Sequence, residues 1–351
     1  MVPLAMVLLA ALLLVFRSGF AVEPVRVTPE MRIVVDHVTA SSLRGNLSFL
    51  ASDLLEGRDT PSRGLDIAAE YIGAQFRKIG LEPVGDDGYF QTAPWNPRDP
   101  NSEKARNVVG ILRGSDPMLK DTYVMVTAHY DHVGVVKEPK EGEDRIFNGA
   151  NDDASGTVSM MEVANALAAL HPRPKRSVLF VAFYGEEKGL FGSRYYAQHP
   201  VVPLQKTIAD LNLEQMGRPD STNGTQKNVG WLTGFDFSSM GEILAEAGRR
   251  VGVKIAKDEK ASDPYFNRSD NAAIAQYGIP AHTLCVSFDF PDEHLVSDEW
   301  QKIDYDNMAK VDQAVALAVL HMASAFPPPK WNPEAPGARV YFEAGKRIKG
   351  E

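Results

Sequence analysis

Acidic and imidazole side chains gather in this chain where apolar runs stop. "VMVTAHYDH" ends in His129, Asp131 and His132, "LFVAFYGEE" in Glu186 and Glu187, and "IADLNLEQ" in Glu214, while "AHTLCVSFD" leads into a loop holding His294. Between the first two, "NGANDDASG" carries Asp152 and Asp153. Buried strand ends do not collect carboxylates for stability, because an unpaired ionised carboxylate loses several kcal/mol of solvation there. A divalent cation is the simplest compensation. Imidazole and carboxylate without thiolate suit zinc, in a catalytic site with an open position. So many candidate ligands exceed the needs of one catalytic zinc and point to two ions sharing a carboxylate, about 3.5–4 Å apart. The adjacent glutamates then divide the work. On an extended backbone consecutive side chains point opposite ways, so one can ligate metal while its neighbour stays free beside the attacking water as general base.

Taken singly, each residue has a plainer reading. His129 could be a buried histidine bonded to a carbonyl, Glu186 and Glu187 a solvated turn, and Asp152 and Asp153 caps for the next helix. His37, His132, His171, His199, His282 and His321 are read as structural or solvated.

The elements that must position these groups alternate. "ARNVVGILRG", "TYVMVTAHY", "SVLFVAFYG", "TIADLNLEQ" and "AHTLCVS" read as strands. "ASGTVSMMEVANALAAL", a segment near Met240–Val251 and "DYDNMAKVDQAVALAVLHMASAF" read as helices, and Leu43–Gly80 as a helical lead-in closed by Gly80. Asp153 or Ser155 is placed to cap the first of these helices. The pattern implies an α/β fold with a mixed, largely parallel central sheet and helices on both faces, whose sites gather beyond the carboxyl ends of the strands.

With 351 residues, 44% hydrophobic and 24% charged, the composition is that of a globular protein, and a net charge of −9 argues against a nucleic-acid surface. Cys285 is the only cysteine, so an intramolecular disulfide and a cysteine-rich zinc site are excluded. The apolar run Leu4–Phe16, followed by Gly19 and Ala21, reads as a secretory signal over residues 1–21; a short membrane anchor is the alternative. The expected organisation continues with an N-terminal extension (22–42), one catalytic domain (43–326) and a proline-rich tail (327–351), a surface strap or a loose terminus. The mature chain is expected to be exported, to the periplasm or outside the cell, with no stable membrane span once the signal is cleaved.

"AHYDH", "GANDDASG", "GEEKGLFGS", "NLEQMGR", "RSDNAAIAQYGIP" and "DEHLVSDEWQKIDYDN", in this order, resemble the di-zinc exopeptidases of metallopeptidase family twenty-eight. The lead-in from Leu43 is similar to that of bacterial secreted aminopeptidase-like members. The resemblance spans roughly 43–307 and implies the three-layer zinc-exopeptidase sandwich. It implies two zinc ions, one held by His129 and Glu214, the other by Glu187 and His294, with Asp152 bridging. Glu186 matches the general base serving a metal-bridging hydroxide, and Asp131 the aspartate that orients the His129 ring. Two positions depart from the family pattern: Glu214 stands where aspartate is usual, and Asn271 where histidine is common. No insertion between Phe90 and Asn107 is long enough for a protease-associated domain.

The leading expectation is an aminopeptidase acting on peptides with a free N-terminus. A carboxypeptidase, a glutaminyl-cyclase-like enzyme and a non-catalytic receptor-like module are the alternatives. Absence of G-x-S-x-G and H-E-x-x-H disfavours a serine hydrolase and the commonest single-zinc protease pattern.

Overall fold

The computed structural model describes residues 27–138, 140–221, 224–325 and 327–350. The expected signal peptide, residues 1–21, lies outside them. The lead-in is helical: α1 (Pro29–His37), α2 (Ala40–Leu50) and α3 (Arg63–Ile79). Helix α3 shows why. The Ser62 hydroxyl accepts from Leu65 N, the face Leu65, Ala68, Ala69, Ile72 and Phe76 is buried, and Gly80 ends the helix at φ +84°.

Strands β1 (Glu82–Pro83), β2 (Phe90–Pro94), β3 (Lys104–Leu112), β4 (Tyr123–His129), β5 (Ser177–Phe183) and β6 (Thr207–Leu213) come next, with α4 (Gly156–Ala168) and α5 (Phe191–Gln198) after β4 and β5. The hairpin β7 (Asp220–Ser221) and β8 (Gly224–Thr225) stands apart from the main sheet. Then come β9 (Val229–Leu232), α6 (Met240–Val251), β10 (Lys254–Ala256), α7 (Asn271–Ala275), β11 (Ala281–Cys285), α8 (Tyr305–Ser324) and α9 (Arg339–Lys349).

The main sheet runs β1-β3-β5-β4-β6-β11-β9-β10, with β2 also paired to β3. Its centre, β5-β4-β6-β11, is parallel; β3 joins β5, and β9 joins β11, antiparallel. Both faces are covered, so β4 and β5 are largely apolar rather than alternating, while β6 and β11 also bury Asp210, Asn212, His282 and Thr283. Val124, Val126 and Ala128 of β4, with Val178, Phe180 and Ala182 of β5, pack into the core shared by α1–α4, α6 and α8. Met125, Leu179, Val181 and Phe183 enter the opposite core with Tyr196, Ile274, Trp331 and Tyr341.

Register fixes the site. His129 pairs with Phe183, Thr127 with Asn212, and Leu284 with Leu213. The carboxyl ends of four parallel strands are therefore level, and the loops that leave them open on one edge. The tail is a strap rather than a loose terminus: it carries α9 and buries Trp331, Ala338 and Tyr341. Among the described residues no helix is long and apolar enough to cross a membrane.

Candidate metal centre

His129 closes β4 and is buried, with 1% of its side chain exposed. Its Nε2 lies 3.3 Å from Asp152 Oδ1, and its Nδ1 faces Asp131 Oδ1 at 3.5 Å. Asp131 is itself held, accepting from Thr60 Oγ1 and from Glu186 N, both at 3.1 Å. One carboxylate thus joins the end of β4 to the turn after β5.

Asp152 sits before α4 in a loop that needs Gly149. At φ +55°, a Cβ on Gly149 would come within 2.5 Å of the His132 ring and 2.4 Å of Asp152 O. The peptide bond Asp152–Asp153 is cis. Asp153 points away from Asp152's partners: its Oδ1 accepts from Gly156 N at 2.9 Å, capping α4, and from Gln215 N at 3.0 Å beyond β6. Of the two residues placed to cap this helix, Asp153 makes the bond and Ser155 does not.

On the other side of Asp152, His294 Nε2 lies 3.1 Å from Asp152 Oδ2 and 3.2 Å from Glu187 Oε1. Half of the His294 side chain is exposed, and its backbone is left-handed at φ +53°. His132 Nδ1 completes the group, 2.9 Å from Glu187 Oε1 and 3.9 Å from Asp152 Oδ2. One donor atom from each of His132, Asp152, Glu187 and His294 lies within 4.8 Å of the others. Bonds of about 2.0–2.2 Å around a tetrahedral zinc place donors roughly 3.3 Å apart, so these spacings, and an all-imidazole and carboxylate set, fit that ion. Glu214, directly after β6, is half-buried beside the same cavity, and its buried Oε2 finds no hydrogen-bond partner among the described residues. With His129 and Asp152 it could hold a second ion.

The adjacent glutamates are opposed in their electrostatics. Burial pushes Glu186 well above the usual carboxylate range, and neighbouring Glu214, Asp270 and Glu187 add to that. Burial would raise Glu187 too, yet hydrogen bonds from His132 and His294 leave it below its ordinary value. Consecutive carboxyls with divergent proton affinities are suited to different tasks. Burial also lifts Glu214 to about 7 and Asp270, buried just before α7, to about 6.

All seven residues singled out from sequence, His129, Asp131, Asp152, Glu186, Glu187, Glu214 and His294, are brought to this edge. Three contributors were not anticipated. His132, read as structural or solvated, is wholly buried against Glu187; the second histidine of "HYDH" was the signal that could have found it. Asp298, four residues beyond His294, accepts from Asn151 N and Asp152 N at 2.9 and 3.1 Å, locking the two loops together. Arg58, 1% exposed, donates to the carbonyls of Leu50, Tyr130, Asn148 and Gly149, and so ties the lead-in to the loops of His129 and Asp152. Burial lowers its guanidinium to about 10, with Asp131, Asp298, Asp152 and Asp153 opposing the fall.

A cavity of about 150 Å³ opens beside the cluster. Glu186, Glu187, Glu214 and Asp152 form its floor side, and Thr233, Thr283, Cys285, Tyr265, Phe288 and Arg268 are among its other walls.

The family model "Peptidase family M28" matches residues 107–319. A probable zinc metalloprotease of Pyrenophora teres f. teres (strain 0-1) is 33% identical over 255 residues, 68% of this chain and 49% of that protein. Aminopeptidase YwaD of Bacillus subtilis (strain 168) is 32% identical over 266 residues, 72% of this chain and 54% of that protein. The chain spans about half the length of such curated relatives. Among solved structures, the Legionella pneumophila LapA aminopeptidase superposes with a TM-score of 0.65 at 18% identity, covering 86% of this chain and 77% of that one. Porphyromonas gingivalis glutaminyl cyclase does so with 0.64 at 19%, covering 81% and 98%. At such identities these two likenesses speak to the fold alone.

Proposed function

The chain belongs to Peptidase family M28, and from that premise we propose that it is an exported zinc aminopeptidase, removing N-terminal residues from peptides in the periplasm or outside the cell. The observation that carries the reading is the gathering of His132, Asp152, Glu187 and His294 within 4.8 Å of one another at the edge of a cavity that Glu186 and Glu214 also line. In this reading His129 and Glu214 would hold one zinc and Glu187 and His294 the other, with Asp152 available to both and His132, of the same donor group, steadying Glu187. Metal held there would supply Lewis-acid polarisation of the scissile carbonyl and a more acidic attacking water.

Glu186 then has the proton work. Its carboxylate takes a proton from the water as oxygen attacks the carbonyl carbon, and gives that proton to the departing amine nitrogen. Asp131 faces the His129 ring at 3.5 Å, where it would orient the ring, and through the Glu186 backbone N–H it holds the turn on which the base stands. The carboxylate-rich side of the cavity, which includes Glu293 at its rim, suits the free ammonium of a peptide N-terminus. Glutamate in place of aspartate at Glu214 keeps a competent oxygen donor.

Arg268 favours a second reading, a carboxypeptidase, because it is the guanidinium lining the cavity and would suit a substrate carboxylate. Hydrolysis of leucyl-p-nitroanilide, with none of an N-blocked dipeptide ending in glutamate, is the expected result. The reverse pattern supports the carboxypeptidase, and conversion of glutaminyl peptides to cyclic products without hydrolysis supports a cyclase.

A further inference from the structure

The C-terminal segment lies beyond the residues that the family model matches, 107–319, yet it is built into the back of the cavity wall. The wall segment 265–269 alternates in direction. Tyr265, Arg268 and Ser269 line the cavity, with the Arg268 guanidinium 4.3 Å from the centre of the Tyr265 ring. Phe266 and Asn267 turn away from it. Phe266 is 1% exposed, its ring 5.1 Å from Tyr341 and 6.3 Å from Trp331. Asn267 Oδ1 accepts from Tyr341 Oη at 2.7 Å.

A second wall is backed in the same way. Thr283 of β11 and Thr233 line the cavity and bond to each other, Thr283 N donating to Thr233 Oγ1 at 2.9 Å. Next to Thr283 in β11, His282 has its ring 5.6 Å from Trp331 and its Nδ1 2.8 Å from Thr233 O. Trp331 Nε1 donates to Gly278 O at 2.9 Å, in the turn that leads into β11. There α9 comes so close that a Cβ on Gly278, at φ +83°, would lie 2.0 Å from Gly345 N. Trp331 and Tyr341 stack on each other at 5.3 Å, so the strap presents one rigid aromatic surface to both walls.

We propose that this strap, through Trp331 and Tyr341, is a positioning element for the substrate cavity, setting the places of Tyr265, Arg268, Thr233 and Thr283 and hence the binding of the substrate residue next to the scissile bond. The inference rests on the cavity being the substrate site. It touches no metal-binding candidate directly, so its signature is separable from loss of metal.

Tyr341→Phe removes one hydroxyl from Asn267 and leaves the stack; Trp331→Leu removes the stack and the bond to Gly278. For Tyr341→Phe the KM for aminoacyl p-nitroanilides rises about fivefold, the loss of roughly one hydrogen bond, with kcat and zinc content unchanged. Trp331→Leu raises KM further and alters the ranking of large against small first residues. Hydrogen–deuterium exchange, which needs no turnover, is faster across 263–270 in Tyr341→Phe and unchanged in β4 and β5. Unchanged exchange across 263–270 overturns the proposal, as does a parallel fall of kcat and zinc content, the mark of a merely structural role. If the wild type hydrolyses no aminoacyl substrate while exchange responds as described, the functional reading fails and the strap's hold on this wall stands.

Discussion

His132 Nδ1 lies 2.9 Å from Glu187 Oε1, and both side chains are shielded from water. The contact joins the loop after β4 to the turn after β5 and supports the carboxylate that also meets His294. Loss of a partner of this kind costs about 10–100-fold in metal affinity. His132→Ala should therefore weaken binding of one zinc equivalent by that factor in a calorimetric titration and leave the other equivalent near its wild-type affinity. Two unchanged binding steps would remove His132 from the centre.

Glu186→Gln and Glu187→Gln should part company. The first keeps its metal and loses turnover by a factor on the order of 10²–10⁴, as for a missing general base. The second loses zinc occupancy. Equal zinc content in the two proteins, with equal activity, would dissolve the division of labour between them.

Arg58 is expected to matter to folding before chemistry. Its four carbonyl partners come from the end of α2, the segment after β4 and the loop before α4, and a methionine there leaves them buried and unpaired. Arg58→Met should cost roughly 3–5 kcal/mol, as does removal of other buried charged partners. Urea unfolding of zinc-free protein measures this without the contribution of metal binding, and a cost near zero would contradict it.

His282 supplies a pH dependence away from the metal centre. Burial lowers it to about 4 from an ordinary 6.5, among Ser238, Thr233, Phe266 and Trp331. In the unfolded chain it binds a proton first as pH falls. Its contribution to stability is thus fully present above about pH 6.5 and lost progressively down to about pH 4, roughly 3 kcal/mol in all. Comparing the wild type with His282→Gln in urea at pH 7 and pH 4.5 isolates it: the wild type should lose more stability between the two, and equal losses would refute the assignment.

The sequence carried the sheet and most of the centre because both leave strong local marks. Two-face burial makes β4 and β5 nearly continuous apolar runs, and the polar residues that end them stand out for that reason. Arg58 left no such mark, since it binds backbone carbonyls, which any residue can supply. His132 was discounted because the chain turns after His129, and a turn's direction is not written in residue type. In the tail, prolines masked a helix whose apolar positions Ala338, Tyr341 and Ala344 recur at helical spacing and which Gly350 ends at φ +73°. Strand order was also out of reach, because it depends on pairings between segments far apart in the chain.

The central claim is a pair of zinc ions that the activity requires. Plasma mass spectrometry of the purified mature protein, paired with leucyl-p-nitroanilide hydrolysis before and after chelation, tests it most directly. About two zinc ions per chain are expected, with hydrolysis abolished by the chelator and restored by added zinc. A metal-free protein, or hydrolysis indifferent to chelation, would contradict it.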